Sequence, residues 1–174
     1  MALDASVELR RGTRVRRLPL TDFYLGYQKN ALEPGEYVSG LVVPDTDADV
    51  RAYKVSKRYD SDISALCAGL AIRVDGGVVS HVRIAFGGMA AMVRRAAAAE
   101  AAVLGQPWTE ATVRAAQAAL ATDFTPVTDL RASSTYRLTV AQNLLRRWWL
   151  ETREDQPLPA TATSVFASME REGA

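Results

Sequence analysis

The tripeptide Asp75-Gly76-Gly77 constrains this chain more than any other feature. It sits between two runs of alternating character. Before it, Leu66, Ala68, Leu70, Ile72 and Val74 fall on one face, while Cys67, Gly69 and Ala71 on the other are all small. After it, the spacing turns Val78, Val82, Ile84 and Phe86 inward and leaves Val79, His81, Arg83 and Ala85 on the opposite face. The two glycines supply the positive-φ residues that a tight turn needs, so an antiparallel hairpin is predicted here. Small residues on its second face would let a helix or another subunit approach the backbone closely.

Strand patterns also precede this hairpin. Ser6–Leu20 reads as two short strands about Gly12, and Arg51–Val55 as another. Asp22–Ala31 reads as a short helical turn capped by Thr21 or Asp22. Pro34-Gly35 marks a turn before a buried strand, Tyr37–Val43, which Pro44 ends. From Met92 the pattern is helical. The alanine-rich run stops at Gly105, Thr109 caps the next helix, and the last helix covers Ser134–Thr152. In that last helix Leu138, Ala141, Leu144, Leu145, Trp148 and Trp149 share one arc, with Arg146 and Arg147 outside it. Strands come first and helices after, which argues for an α+β fold. Three to four antiparallel strands are expected, with about three helices packed on one face.

Composition removes several function classes. The 174 residues carry a net charge of +1, so no broad basic face argues for nucleic acid. No apolar run approaches the roughly 20 residues of a membrane span. Cys67 is the only cysteine, which excludes an internal disulfide framework, an iron–sulfur cluster held by this chain alone and a thiolate metal site. It points to a reducing compartment, the cytoplasm. With His81 as the single histidine, Zn sites of the usual composition and a Ser–His arrangement lack parts; His81 reads as a surface residue of its strand. Gly87-Gly88 lacks the G-x-G-x-x-G context of a phosphate loop and reads as a tight turn from strand to helix.

The chemistry concentrates in Tyr53–Ile63, YKVSKRYDSDI. Lys54 ends a short strand and a loop follows with Lys57, Arg58, Asp60 and Asp62. Cations and carboxylates beside a β edge suit an anionic or electron-rich ring. The competing reading is a solvated charged loop. The order of four segments decides between them. YKVSKRYDSDIS, RIAFGGMAA, TDFTPVTDLRASSTYR and LLRRWWLE resemble, in this sequence, the C-terminal flavoprotein domain of molybdenum hydroxylases, and most of all the small iron–sulfur/FAD subunit of bacterial xanthine dehydrogenase. The resemblance runs from about Leu18 to Glu151.

That resemblance implies a fold like the CO dehydrogenase flavoprotein C-terminal domain over residues 21–153. Residues 1–20 are then the remnant of a preceding FAD domain, and 154–174 a linker and tail. It implies that Lys54 contacts the flavin, that Val38 stands where an apolar residue touches it, and that the loop bearing Asp60 and Asp62 runs beside the ring. Ser61 stands where many relatives place an acid, so either aspartate could approach. In such enzymes iron–sulfur clusters and a molybdopterin-binding large subunit lie elsewhere, and electrons pass through FAD to NAD. This chain would then supply one wall of the flavin site and would not catalyse alone. The alternative is a non-catalytic interaction domain whose helical face docks a partner subunit.

Overall fold

The computed structural model describes residues 1–58 and 61–163. The chain begins with β1 (Ser6–Arg11), β2 (Arg14–Pro19), the single helical turn α1 (Leu20–Phe23), the short pair β3 (Tyr24–Gly26) and β4 (Lys29–Asn30), and β5 (Tyr37–Val42). The second part opens with β6 (Asp49–Val55), β7 (Leu66–Asp75), β8 (Val78–Gly87) and β9 (Arg94–Arg95). Helices α2 (Ala97–Val103), α3 (Glu110–Asp123) and α4 (Ser134–Thr152) follow, and a 3-10 turn covers Ala160–Ala162.

The expected hairpin forms the middle of a four-stranded antiparallel sheet, β6-β7-β8-β9. Asp75 pairs with Val78 across a two-residue turn in which Gly76 and Gly77 have φ of +58° and +79°, values that favour glycine. Leu66, Ala68, Leu70, Ile72, Val82, Ile84 and Phe86 face α2, α3 and α4 and share one core with Val103, Val113, Leu120, Leu145 and Trp148. Trp148 is fully buried, with Trp108 edge-on at 5.1 Å between ring centroids. Thr109 and Ser133 cap α3 and α4, each accepting from a backbone N–H three residues on. This is the predicted α+β arrangement.

The register departs from simple alternation at one point. A bulge between Arg73 and Val74 sets Val74 opposite Val79, so Val79 is buried and Val78 lies at the surface, the reverse of the expected facing. Residues after Gly88 also do not enter a helix directly. Arg94–Arg95 first return as β9 against Ala85 and Phe86, and α2 starts only at Ala97. The Arg95 guanidinium holds that return by pairing with the buried Glu100, whose Oε1 also accepts from Ile84 N at 2.8 Å.

The N-terminal part builds a second, three-stranded sheet in the order β2-β1-β5 over a small core of Val7, Leu9 and Phe23. β5 therefore pairs with β1, joining residues on both sides of position 20, and does not enter the larger sheet. As the edge of a small sheet it is mostly exposed: Leu41 is 64% accessible, where burial was expected. Helix in the Asp22–Ala31 stretch is limited to the turn ending at Phe23; Tyr24–Asn30 pairs as a hairpin because Phe23 O accepts from Ala31 N and closes it. Residues 154–163 turn back on the helical layer, where Leu158 N donates to Leu150 O and Thr163 Oγ1 accepts from Arg147.

Candidate functional site

Tyr53 and Lys54 are neighbours on β6 and point to opposite sides of the sheet, as the period of a strand requires. Tyr53 is buried under α4, where its hydroxyl donates to Glu151 Oε2 at 2.7 Å and the Arg147 guanidinium lies 4.8 Å from its ring centroid. Burial, and then the adjacent Glu151 carboxylate, push the Tyr53 phenol well above its ordinary pKa. Arg51 approaches the same carboxylate at 3.6 Å. This inward cluster locks β6 against α4 and so fixes Lys54 on the side of the sheet without helices.

That helix-free side is built from small residues. Lys54 stands opposite Cys67, which stands opposite Gly87; Ala52, Gly69 and Ala85 form the next row. The chain's own N-terminus covers the middle of this face. A Cβ on Gly69 would lie 3.4 Å from Ala2 Cβ, and the Asp4 carboxylate accepts from Arg83 Nε at 2.8 and 2.9 Å. The close approach that small residues permit is made by this segment, in place of the helix or second subunit expected. Lys54 and Cys67 remain exposed, and Lys54 has no ion pair among the described residues. Val93 lies over Gly87, 3.4 Å from where a Cβ would stand, which leaves Ala52, Lys54 and Cys67 as the open part of the face. Small side chains beside one exposed ammonium can seat the edge of a planar ring and stabilise negative charge on it.

The loop after β6 closes where Ala65 N donates to Val55 O at 2.7 Å. Asp62 shapes it from within. Its Oδ2 accepts from Arg58 N at 3.1 Å, its Oδ1 from Ile63 N at 2.9 Å, and its side chain is only 16% accessible. The bond from Arg58 N, against some desolvation, holds its carboxyl below the ordinary pKa. Lys57 Nζ donates to Leu130 O at 2.7 Å and ties the loop to the turn before α4. An open cleft of about 530 Å³ separates the two, lined by Val55, Lys57, Arg131, Ser133 and Tyr136 among others.

Of the residues singled out in the sequence, Lys54 and Asp62 are thus brought to one end of the larger sheet. Val38 lies on β5, at the edge of the other sheet, 45% exposed and opposite Leu9. Asp60 lies outside the described residues. His81 is a partly exposed residue of β8 opposite Arg73, as expected. No group of three or more potential metal ligands occurs among the described residues, and none of their helices is long and apolar enough to cross a membrane. Arg137 went unrecognised in the sequence: this guanidinium is buried at the start of α4 and donates to Ala65 O, Gly88 O and Asp129. Its signal was its place four residues before Ala141, on the apolar arc.

Comparison with known proteins gives the family and the fold. The family described as CO dehydrogenase flavoprotein C-terminal domain matches residues 51–152, and the FAD binding domain in molybdopterin dehydrogenase matches residues 1–46. Nicotinate hydroxylase hnxS of Emericella nidulans is 31% identical over 158 residues, covering 86% of this chain and 12% of that protein. Xanthine dehydrogenase of the same organism is 34% identical over 138 residues, covering 76% of this chain and 10% of the relative. A structure of carbon monoxide dehydrogenase from Hydrogenophaga pseudoflava, lacking the Mo-pyranopterin moiety of its cofactor, superimposes with a TM-score of 0.78 at 31% identity. It covers 84% of this chain and 51% of the chain compared. The chain spans about a tenth of the two fungal relatives and about half of the structural one.

Proposed function

The chain belongs to the CO dehydrogenase flavoprotein C-terminal domain family, and from that premise we propose that it forms one wall of the FAD site in a xanthine dehydrogenase-like molybdenum hydroxylase. The observation that carries this reading is the exposed Lys54 opposite the exposed Cys67, on the face of the sheet that no helix covers. FAD bound there would supply the electron-carrying ring, which gains negative charge on reduction. The residues fit that group: small side chains leave room for a flat ring and the Lys54 ammonium offsets the charge. Val38 gives an apolar contact from the neighbouring sheet. Asp60, and Asp62 through the loop it shapes, set the charge around the ring.

Within the whole enzyme, the remainder of the FAD-binding domain, iron–sulfur domains and a molybdopterin-binding large subunit complete the path. Those groups would carry electrons from molybdenum through the clusters to FAD and on to NAD, with this chain holding one side of the FAD ring. The cytoplasm is the compartment that suits this reaction. Support comes from the family match and from the superposition on carbon monoxide dehydrogenase.

Lys54→Ala in the complete subunit tests the reading. Removing a positive charge next to the ring disfavours its reduced, more negative form, so the flavin potential should fall. Loss of one such interaction is about 1–3 kcal/mol, or roughly 20–60 mV for a two-electron couple. Unchanged potential together with unchanged FAD affinity would return Lys54 to the solvated surface.

A further inference from the structure

Arg137 is 3% accessible, the least accessible charged residue among the described residues. A guanidinium is taken out of water at a high cost unless its donors are met in good geometry. Here the two terminal nitrogens find acceptors on three separate segments, while Nε is buried without a partner among the described residues. Nη1 donates to Ala65 O and, at 2.7 Å, to Gly88 O; Nη2 donates to Asp129 Oδ1 at 2.7 Å. The arrangement is specific to a forked cation. It also requires glycine at position 88, where φ is +80° and a Cβ would sit 2.5 Å from Ala65 O and 3.0 Å from Arg137 Nη1.

Two of those segments govern the loop after β6. Ala65 is its closing residue, through the bond from Ala65 N to Val55 O. Asp129 organises the turn that holds the loop's front: its Oδ1 also accepts from Arg131 N at 2.8 Å and Ala132 N at 3.2 Å, while Leu130 O in the same turn receives Lys57 Nζ. One guanidinium therefore braces both the base of the loop and the support against which Lys57 leans. A leucine or methionine at 137 would fill the space without joining any of these carbonyls.

We infer that Arg137 is a positioning residue for the flavin site: through Ala65 and the Asp129 turn it fixes the two described flanks of the loop after β6, Lys57–Arg58 and Asp62–Ala65, and so controls how the ring exchanges electrons with its acceptor. This rests on the reading of that loop as part of a flavin wall. Arg137 touches neither ring nor substrate. Its effect passes through two backbone carbonyls and the Asp129 carboxylate, which makes it separable from FAD binding itself.

The test uses Arg137→Lys, which keeps the charge and loses the fork, and Lys57→Met, which breaks only the surface strut to Leu130 O. In the chain without FAD, hydrogen exchange should accelerate at least tenfold over residues 56–64 and 128–133 in Arg137→Lys, while α3 stays protected. In the complete enzyme, FAD content should be retained. The reduction equilibrium of the flavin should shift about tenfold, roughly 30 mV. Reoxidation by NAD or dioxygen should change by a comparable factor, and reduction by the hydroxylated substrate should not. Lys57→Met should shift the potential in the same direction by less. If Arg137→Lys fails to fold, Lys57→Met decides alone, and an unchanged potential there overturns the inference. An Arg137→Lys enzyme with a lower unfolding midpoint but parental potential and reoxidation rate also overturns it, leaving Arg137 structural. Lys54→Ala serves as the control: no shift there fails the flavin reading itself, whereas a shift there without one in the Arg137 and Lys57 variants fails only this inference.

Discussion

Asp123, the last residue of α3, caps the start of α2: its Oδ1 accepts from Ala98 N and its Oδ2 from Ala99 N, both at 2.9 Å. Helix α2 has no capping side chain of its own at Ala96, so a residue 25 positions away satisfies the free N–H groups of its first turn. Asp123→Ala should cost about 1–2 kcal/mol, the scale of losing a good helix cap. Asp123→Asn, which can still accept one bond, should recover part of it. Urea denaturation of the two variants and the parent measures both; an Ala variant within error of the parent would show that the contact is dispensable.

Glycines 12 and 88 separate two meanings of positive φ. Gly12 has φ +58° with nothing within 4 Å of an added Cβ, whereas at Gly88 the Cβ would overlap Ala65 O. Gly12→Ala should therefore cost only the backbone strain, about 1 kcal/mol. Gly88→Ala should cost more than about 3 kcal/mol, because strain is joined by displacement of the Arg137 bonds. Thermal unfolding of the pair tests the ordering.

Acid should loosen the loop after β6. The Asp62 carboxyl is held below its ordinary 3.8 chiefly by the bond from Arg58 N, and that of Asp129 chiefly by the bond from Arg131 N, with Ala132 N and Arg137 adding. For depressed carboxyl groups the stabilisation is present above the unfolded value and is lost as pH falls through the folded one. Amide exchange in residues 56–64, corrected for intrinsic rates, should stay flat down to about pH 4 and rise below it. Carboxyl titration midpoints by NMR should lie below 3.8 for both residues; a midpoint above that value would contradict the geometry.

In the complete enzyme, replacing Asp60 and Asp62 by asparagine should alter turnover with NAD relative to oxygen and leave the reduction of molybdenum by substrate nearly constant. The loop belongs to the flavin side of the proposed electron path and has no route to hydroxylation. Rapid-mixing kinetics separate the half-reactions. Collapse of the reductive half-reaction with intact reoxidation would place the loop elsewhere.

The isolated chain should fold and elute without stoichiometric FAD. Glycine loops that cradle a pyrophosphate supply much of such a site's affinity, and the G-x-G-x-x-G pattern does not occur in this sequence. Absorbance of the gel-filtered protein in the flavin region checks it; a yellow, equimolar complex would sink the expectation.

The larger sheet and its three helices were legible because their signals are local. Asp75-Gly76-Gly77 specifies its own turn, Gly105 takes a φ of +75° just past α2, and Thr109 caps α3 as its position suggests. Lys54's outward aspect likewise follows from strand alternation once Tyr53 is buried. Pairing choices were not legible. Tyr37–Val42 reads as buried by hydrophobicity, yet its partner is β1, and a two-layer cover for that edge is not encoded in the strand itself. The bulge that exchanges Val78 for Val79 adds a residue without any glycine or proline to mark it. Arg137 carries a surface residue type into the core, and only the tertiary placement of Ala65, Gly88 and Asp129 makes that tenable.

Asp4, gripped by Arg83 and Arg95, lies two residues before β1 begins, and Ala5 O accepts from Leu20 N at the far end of β2. The first strand is thus riveted to the larger sheet at its root, while a short connector, residues 43–48, tethers β5 to β6. Two attachments at separate points resist rotation of the smaller sheet more than a single hinge would. A load applied at its outer edge travels through β1 to the guanidinium pair on β8 and β9, so the placement of Val38 relative to Lys54 depends on Asp4 as well as on the connector.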